Sequence, residues 1–181
     1  MDEKQRINKV LKGDTSAFGY FVDTYQDMAV TIAYRICKNK QDAEDIVQNS
    51  FIKAFHNLHS FRADSKFSTW FYRIVYNTAF TEIRSASYNI ELVDYKLMDT
   101  DISHPDFDIM AQIEEKERKL MIDSVLNKMP GDESTLLTLH YLEENSIKEI
   151  ALITGLTDVN IKVKLHRARK RFYDILQKEK I

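Results

Sequence analysis

The chain has 181 residues, which is enough for one domain or two small ones, and its hydrophobic content of 44% is typical of a folded protein. Only four glycines and two prolines favour an all-α fold, and a formal net charge of −2 excludes nucleic-acid binding that rests on bulk charge alone. The single cysteine excludes an internal disulfide, and without an apolar leader or a membrane-length run we expect a cytoplasmic protein.

Two amphipathic helices are predicted at the start of the chain. The first covers residues 2–12 and the second covers residues 17–37, with an Asp-Thr-Ser run at 14–16 that can supply caps. Apolar residues of the second helix recur every three or four positions, which predicts a core-facing stripe of Phe18, Phe21, Tyr25, Met28, Ile32 and Ile36. The apolar neighbours of Cys37 favour a buried thiol over a reactive one.

The next predicted helix, over residues 41–58, has two faces of different character. Its first turn carries three carboxylates, which complement the positive end of the helix dipole. The predicted inward stripe consists of Val47, Phe51, Ala54, Phe55 and Leu58. The opposite face consists of Asp42, Asp45, Asn49, Ile52 and His56, with Gln48 at its edge. An isoleucine on an acidic face is compatible with a solvated surface and with a partner-docking surface, and the pattern alone leaves both open.

A loop over residues 60–67 precedes an aromatic helix for which Ser68 and Thr69 are the predicted caps. The apolar members of this helix are Trp70, Phe71, Tyr72, Ile74, Val75, Tyr76, Phe80 and Ile83. So many large side chains cannot all face one small core, and those near the loop could stack on unpaired bases, which is worth about 1–3 kcal/mol per base. The alternative is a helix buried on two sides, and for Trp70 and Phe71 we favour burial.

Helical periodicity fades in the middle of the chain, where acids outnumber bases and a His-Pro pair interrupts any helix. We therefore predict an acidic linker over residues 88–107, between a first domain over 1–87 and a second domain over 108–181. The second domain is predicted to begin with a helix that ends at Met129, followed by a Pro-Gly break and a helix through residues 136–142.

The stretch over residues 146–172 is typical of a DNA-binding helix-turn-helix. Ser146, with Glu149 three positions later, forms a candidate capping box for a short first helix. Gly155 supplies the positive-φ residue that ends this helix, and the Thr-Asp pair that follows can cap the second helix.

The second helix of this motif has an apolar stripe and a basic face. The stripe consists of Ile161, Leu165, Ala168, Phe172 and Leu176. The outward face and its flanks consist of Asn160, Lys162, Val163, Lys164, His166, Arg167, Arg169 and Lys170. This helix can therefore present Asn and basic side chains to a major groove. The alternative is a solvated surface helix whose cations merely suit the negative end of the helix dipole.

Together these features resemble a bacterial RNA polymerase sigma factor of the extracytoplasmic-function type, a small class that keeps only the second and fourth sigma domains. The resemblance covers nearly the whole chain and rests on three stretches in the expected order, Asp42 to Phe51, Phe67 to Ala79 and Ile147 to Arg171. It implies a two-domain, all-α transcription initiation factor that is not an enzyme and needs no cofactor.

The resemblance also implies three binding surfaces. The acidic helix would dock on the clamp helices of core RNA polymerase through Asp42, Asp45, Gln48, Asn49 and Ile52. The loop and the aromatic helix would capture a flipped base of the minus-ten promoter element, with contacts from Phe61, Arg62, Ser65, Lys66, Phe67, Trp70, Arg73, Asn77 and Arg84. The helix-turn-helix would bind the minus-thirty-five element through Thr157, Asn160, Lys162, Val163, Lys164, His166, Arg167 and Lys170. The linker would thread toward the catalytic channel, and an anti-sigma factor would hold the protein inactive.

Four positions depart from the pattern of that family. Members commonly carry an acid in place of Asn49, an Asp in place of Thr81, an Arg in place of Ser85 and, in many members, an Arg in place of Ser134. The first departure weakens one docking charge, and the next two thin the basic face near the minus-ten contact. We therefore expect atypical promoter melting or specificity.

Two other classes of function remain open on the sequence. A stand-alone helix-turn-helix regulator explains the carboxyl-terminal motif but leaves the acidic helix and the aromatic block without a purpose. An adaptor that keeps the domains but has lost DNA contact is the other alternative. His56 and His59 have a zinc-like spacing that could include Cys37, but a fourth plausible ligand is missing, so we expect no metal.

Overall fold

The computed structural model describes residues 1–86 and 115–179, and the side chains of residues 1–84 and 115–178. All regular structure in these ranges is helical, which confirms the predicted all-α fold. The helices are α1 (Glu3–Leu11), α2 (Gly19–Cys37), α3 (Lys40–His56), α4 (Phe67–Ala86), α5 (Glu115–Lys128), α6 (Gly131–Leu137), α7 (Ile147–Thr154) and α8 (Asp158–Glu179). The predicted linker and the start of the second domain lie outside the described residues.

Helices α1 to α4 form an amino-terminal bundle in which α2, α3 and α4 pack against one another. Its core is aromatic: the rings of Phe51 and Phe71 stack with centroids 4.4 Å apart, and those of Phe21 and Phe67 lie 4.3 Å apart. Aromatic pairs of this kind add about 0.5–1.5 kcal/mol each beyond their buried area. The predicted aromatic stripe of α2 therefore does serve as core, with Phe21 fully buried.

Three helix starts in this bundle differ from the sequence expectation. Residues Thr15–Phe18 form a 3-10 turn before α2, and this turn has no side-chain cap. The predicted cap of α4 by Ser68 or Thr69 is wrong, because α4 begins at Phe67 and the Trp70 amide donates to the Lys66 carbonyl at 3.2 Å. The helix therefore begins two or three residues earlier than those caps imply, and the Phe67 ring is buried in the core. Asn39, which the sequence reading did not single out, caps α3.

Helices α5 to α8 form a carboxyl-terminal bundle in which α8 packs against α5, α6 and α7. A π-helical turn at Thr138–Leu142 connects α6 to the segment before α7. Ser134 is fully buried, and its hydroxyl donates to the Leu126 carbonyl at 2.8 Å, so this departure from the family pattern joins α6 to α5 and lies away from the surface.

The helix-turn-helix has the local chemistry expected from its sequence. Ser146 and Glu149 form a complete capping box at the start of α7, and Gly155 ends α7 with φ at 74°. The Thr157 hydroxyl accepts a hydrogen bond from the Asn160 amide at 3.3 Å and so caps α8. Ile161 and Leu165 are buried beneath this turn, as their helical spacing predicts.

The two bundles touch chiefly where α4 packs on α7 and where α2 packs on α6. Arg35 of α2 also reaches Asp123 and Asn127 of α5. No helix in the described ranges is both long enough and apolar enough to cross a membrane.

Candidate binding surfaces

The outward face of α3 forms the first candidate surface, which we call the docking face. Its members Asp42, Asp45, Gln48, Asn49 and Ile52 are all exposed. Ile52 keeps 51% of its surface in water, although it is flanked by a buried Phe51. The isoleucine could serve as an apolar anchor for a partner, and the surrounding carboxylates and amides make the rest of the face negative and polar.

The inward residues of α3 explain why the docking face points outward. The buried positions are Ala43, Ile46, Val47, Ser50, Phe51 and Ala54, and they form one stripe at helical spacing. The sequence reading included Phe55 in this stripe, but the ring is only half-buried. Ser50, which lies outside the predicted stripe, is fully buried, and its hydroxyl donates to the Ile46 carbonyl at 2.7 Å and is thereby satisfied. A polar residue gives no hydrophobic signal, so periodicity could not place it inside.

The second candidate surface lies at the start of α4 and in the loop before it. Phe61, Phe67 and Trp70 form an aromatic triad, which we call the aromatic site, with ring centroids 5.3 to 5.7 Å apart. Phe61 and Trp70 are half-buried and keep part of each ring in solvent. A groove beside Trp70 is lined by Lys53, Asn57, Ser60, Ile74, Asn77 and Thr81. Ring edges beside a polar groove suit a planar, hydrogen-bonding ligand such as a base.

One predicted member of this surface does not fit a direct DNA contact in this conformation. Phe67 is only 1% exposed, because its ring packs among Phe21, Tyr25 and Phe71. Its role here is to support Trp70 from behind. Of the other predicted contacts, Ser65 is half-buried, and the side chains of Arg62, Lys66, Arg73, Asn77 and Arg84 are exposed.

Lys66 already has a partner in the other bundle. Its Nζ lies 2.9 Å from Oε1 of Glu149, while Oε2 of the same carboxylate accepts from the Ser146 amide and hydroxyl at 2.8 Å. The Lys66 ammonium, followed by the Ser146 amide, lowers the pKa of Glu149 to about 2. The sequence predicted the capping box of α7 but not the ion pair between Lys66 and Glu149, because no local pattern links a loop to a distant helix.

The third candidate surface is the outward side of α8, which we call the basic face. Thr157, Asn160, Lys162 and Lys170 are exposed, and Val163, Lys164, His166 and Arg167 are half-exposed. The sequence reading missed two acids that border this face from the first turn of α6. Asp132 lies 2.8 Å from the Lys164 ammonium, and Glu133 lies 3.0 Å from the Arg171 guanidinium.

These acids reduce the net positive charge at the basic face. A groove between α6 and α8 is lined by Glu133, Lys164, Arg167, Lys170, Arg171 and Asp174. Burial raises the pKa of the Glu133 carboxyl, and the Arg171 guanidinium opposes that rise. Lys162 and Lys170 are the exposed cations of the basic face, so their charges are accessible to a phosphate.

The lone thiol, Cys37, lies at the end of α2 and belongs to none of the three surfaces. Cys37 is half-buried rather than buried as predicted, and its Sγ donates to the Asn39 carbonyl at 3.1 Å. Burial still raises the pKa of this thiol, so its thiolate is disfavoured.

Two family models match the chain, one in each bundle. Residues 21–88 match sigma-70 region 2, and residues 119–172 match sigma-70 region 4. The first match contains the docking face and the aromatic site, and the second contains the helix-turn-helix.

Curated relatives match over nearly the full chain. The extracytoplasmic-function (ECF) RNA polymerase sigma factor SigW of Bacillus subtilis strain 168 is 34% identical over 174 residues, which cover 92% of each chain. The RNA polymerase sigma-H factor of Pseudomonas aeruginosa is 30% identical over 182 residues, which cover 97% of this chain and 94% of the relative.

Solved structures share the fold at lower identity. CnrH in complex with the cytosolic domain of CnrY superposes with a TM-score of 0.66 at 20% identity, covering 97% of both chains. The sigma factor RpoE in complex with the anti-sigma factor NepR, from Bartonella quintana, gives a TM-score of 0.65 at 21% identity and covers 88% of this chain and 96% of that one.

Proposed function

The chain belongs to the sigma-70 family as an ECF-type RNA polymerase sigma factor, a non-enzymatic transcription initiation factor, and we propose how its surfaces divide that work. Residues 1–87 act as the polymerase-binding and minus-ten domain, residues 88–107 as the acidic linker, and residues 108–181 as the minus-thirty-five domain. The protein works in the cytoplasm on core RNA polymerase and promoter DNA.

We propose that the docking face binds core polymerase. The observation that carries this role is Ile52, which is half-exposed at the centre of the acidic and amide-bearing side of α3. The exposed part of Ile52 contributes no burial to the core of the bundle, whereas in a partner interface it would become a buried apolar anchor surrounded by polar contacts. Asp42, Asp45, Gln48 and Asn49 supply that surrounding.

The aromatic site is assigned to the minus-ten element. Phe61 and Trp70 offer partly exposed rings on which an unpaired base can stack, and Phe67 supports them from the core. The surrounding polar side chains, which position the strand, are Arg62, Ser65, Lys66, Arg73, Asn77 and Arg84.

The basic face is assigned to the minus-thirty-five element. Asn160 near the start of α8 can bond a base edge, and Val163 can meet a thymine methyl group. Thr157, Lys162, Lys164, His166, Arg167 and Lys170 supply phosphate and base-edge contacts. An anti-sigma factor is the proposed inhibitor, as a similar fold has been solved with one.

Reconstituted transcription tests this function. Purified chain is mixed with core polymerase and a genomic promoter library, and run-off transcripts that require the added chain are expected. Transcripts that form equally well without it would refute the proposal. Sequence-specific DNA binding in the absence of core polymerase would instead favour the stand-alone regulator, which does not need the docking face.

The docking face is tested by removing its apolar anchor. We expect Ile52→Ala to weaken core-polymerase binding about 5- to 30-fold, since it removes about 1–2 kcal/mol of apolar contact. Asp45→Ala is expected to weaken binding only about 1.4- to fivefold, because an exposed charge contributes about 0.2–1 kcal/mol. Biolayer interferometry on immobilised polymerase gives both affinities.

The control for this experiment is Leu11→Ala. Leu11 lies at the end of α1 and has the same 51% exposure as Ile52, but it is outside the docking face. Its removal should leave polymerase affinity unchanged. Equal losses for Leu11→Ala and Ile52→Ala would show that the docking face is misassigned.

A further inference from the structure

The first turn of α6 places two carboxylates beside the basic face of α8. Asp132 and Glu133, which we call the α6 acids, lie in this turn, and α6 packs along α8. Oδ2 of Asp132 lies 2.8 Å from Nζ of Lys164, and Oε2 of Glu133 lies 3.0 Å from Nε of Arg171. Each acid therefore pairs with a cation of the helix that carries the basic face.

The two ion pairs are partly shielded from water. The Lys164 side chain is 25% exposed, and that of Glu133 is 12% exposed. Salt screens a partly buried pair less than an exposed one, so these pairs are well suited to persist at physiological ionic strength. Glu133 also borders the groove that Lys164, Arg167 and Arg171 line, and these three cations oppose the rise in its pKa that burial causes. The α6 acids are thus part of the charge pattern that a DNA duplex would meet.

A lysine that is paired with a carboxylate presents its charge in a restricted way. An ammonium has three donors on a flexible four-carbon stem, so without a fixed partner it can follow any nearby phosphate. In this chain the Lys164 ammonium donates to Asp132, which fixes it at one position on α8. A phosphate that approaches must compete with the carboxylate for the cation and is repelled by the negative charge of the carboxylate.

This pairing disfavours arbitrary DNA more than it disfavours a promoter. Binding to arbitrary sequence rests on phosphate contacts, so it requires the cations to leave the α6 acids. Binding to the minus-thirty-five element also uses base edges, which Asn160 and Val163 can contact while both ion pairs remain in place. Specificity rises whenever the wrong ligand loses more binding than the right one.

We propose that Asp132 and Glu133 are specificity-determining residues of the basic face, which hold Lys164 and Arg171 away from the phosphates of arbitrary DNA. Both acids are positioning residues, because they act through the paired cations rather than by contacting bases. This inference rests on the function proposed above, in which the basic face binds the minus-thirty-five element.

The test compares two duplexes in complex with the holoenzyme, which is the full-length chain bound to core polymerase. One duplex is a promoter recovered from the reconstituted transcription, and the other is identical except for a scrambled minus-thirty-five element. Fluorescence anisotropy at several salt concentrations gives both affinities and their salt dependence. The ratio of the two affinities measures how well the basic face discriminates sequence.

The double variant Asp132→Asn, Glu133→Gln removes both negative charges with little change in side-chain size. Affinity for the scrambled duplex should rise about 2- to 25-fold, because each surface charge contributes about 1.4- to fivefold. Affinity for the promoter should rise less, so the affinity ratio should fall by about twofold or more. On the scrambled duplex the logarithmic salt dependence should steepen by about one to two, since each released cation can neutralise one phosphate.

Glu117→Gln is the matched control, because Glu117 is also an acid in the first turn of its helix but does not line the groove between α6 and α8. It is exposed on α5 and should leave the affinity ratio and the salt dependence unchanged. Asp132→Glu keeps the charge and should retain a ratio closer to that of the wild type than Asp132→Asn does. An unchanged circular dichroism spectrum of the double variant excludes loss of fold as the cause.

The outcomes separate this inference from the proposed function. Equal gains on both duplexes, or no gain on either, would overturn the specificity role of the α6 acids. A lower ratio that comes only from weaker promoter binding would overturn it too, because the acids would then support α8 without opposing phosphates. A wild-type holoenzyme that binds both duplexes equally would refute the assignment of the basic face itself. A wild type that discriminates, with a double variant that discriminates equally well, would refute the inference alone.

Discussion

At the scale of single residues, Glu149 has two separate roles in one carboxylate. Oε2 accepts from the Ser146 amide and hydroxyl and so caps α7, and Oε1 pairs with Lys66 of the other bundle. The folded-state pKa of about 2 lies below the ordinary value of 4.5. The stability that Glu149 contributes is therefore fully present above about pH 4.5 and is lost as pH falls toward 2.

The two roles are separated by replacing Lys66. In Lys66→Met we expect the pKa of Glu149 to rise, because the first cause of its depression is removed, yet to stay below 4.5, because Ser146 still donates. A carbon-13 NMR titration of the side-chain carboxyl gives the value directly. Lys148→Met, which removes an exposed charge next to Glu149 in sequence, is the control and should leave the pKa unchanged. No shift in Lys66→Met would mean that the ion pair does not form in solution.

Individual residues also show the limits of the sequence. The rings of Trp70 and Phe61 are partly exposed, but Phe67 is in the core, since a Phe at the first position of a helix can face either side. The resemblance had placed Phe67 among the minus-ten contacts. Only the packing of Phe21, Tyr25 and Phe71 around its ring decides the matter.

At the scale of elements, the predicted cap of α7 is present in the structure and the predicted cap of α4 is not. The two serine substitutions should therefore differ in their effect on stability. Ser146→Ala should lower the free energy of unfolding by about 1 kcal/mol, because it removes the cap of α7. Ser68→Ala should be close to neutral, because Ser68 lies within the first turn of α4 and does not cap it. Urea denaturation followed by circular dichroism measures both. A loss in Ser68→Ala equal to that in Ser146→Ala would contradict the assigned start of α4.

The elements themselves were largely predictable, and the reason is local. Helical periodicity, the capping box at Ser146 and the positive φ at Gly155 depend on neighbours within a few positions. The helix-turn-helix and the outward face of α3 could therefore be derived from sequence. The acids Asp132 and Glu133 were visible as residues, but their pairing with α8 depends on how α6 packs, which no local pattern encodes.

At the scale of the whole molecule, the interface between the bundles was beyond sequence reasoning. Gly131 was read only as part of a Pro-Gly break, and Arg35 gave no signal within an apolar helix. Each acquires a meaning only when α2 meets α5 and α6. Residues at the interface between two domains fit one another in shape and charge although they lie far apart in the sequence. Helical periodicity describes only near neighbours, so it cannot predict them.

The ion pair between the buried Arg35 guanidinium and the exposed Asp123 carboxylate leads to a prediction about a variant that lacks the carboxylate. Asp123→Ala leaves Arg35 with Asn127 as its only remaining described side-chain partner, and a buried charge that loses a partner is destabilised. The bundles can relieve this by separating, since Arg35 then reaches water. We therefore expect Asp123→Ala to increase the radius of gyration without loss of helix.

Two further variants test whether the effect comes from the negative charge of Asp123. Asp123→Asn keeps an acceptor for the guanidinium and should open the chain less than Asp123→Ala does. Asp23→Ala removes an exposed carboxylate from α2 and should change nothing. If Asp123→Ala loses helix while remaining closed, then Arg35 is held by the fold of the amino-terminal bundle and not by its partner across the interface. A radius of gyration that decreases in the order Ala, Asn, wild type would show that the charge pair helps to hold the two domains together, because Asn matches Asp in size and lacks only its charge and one acceptor.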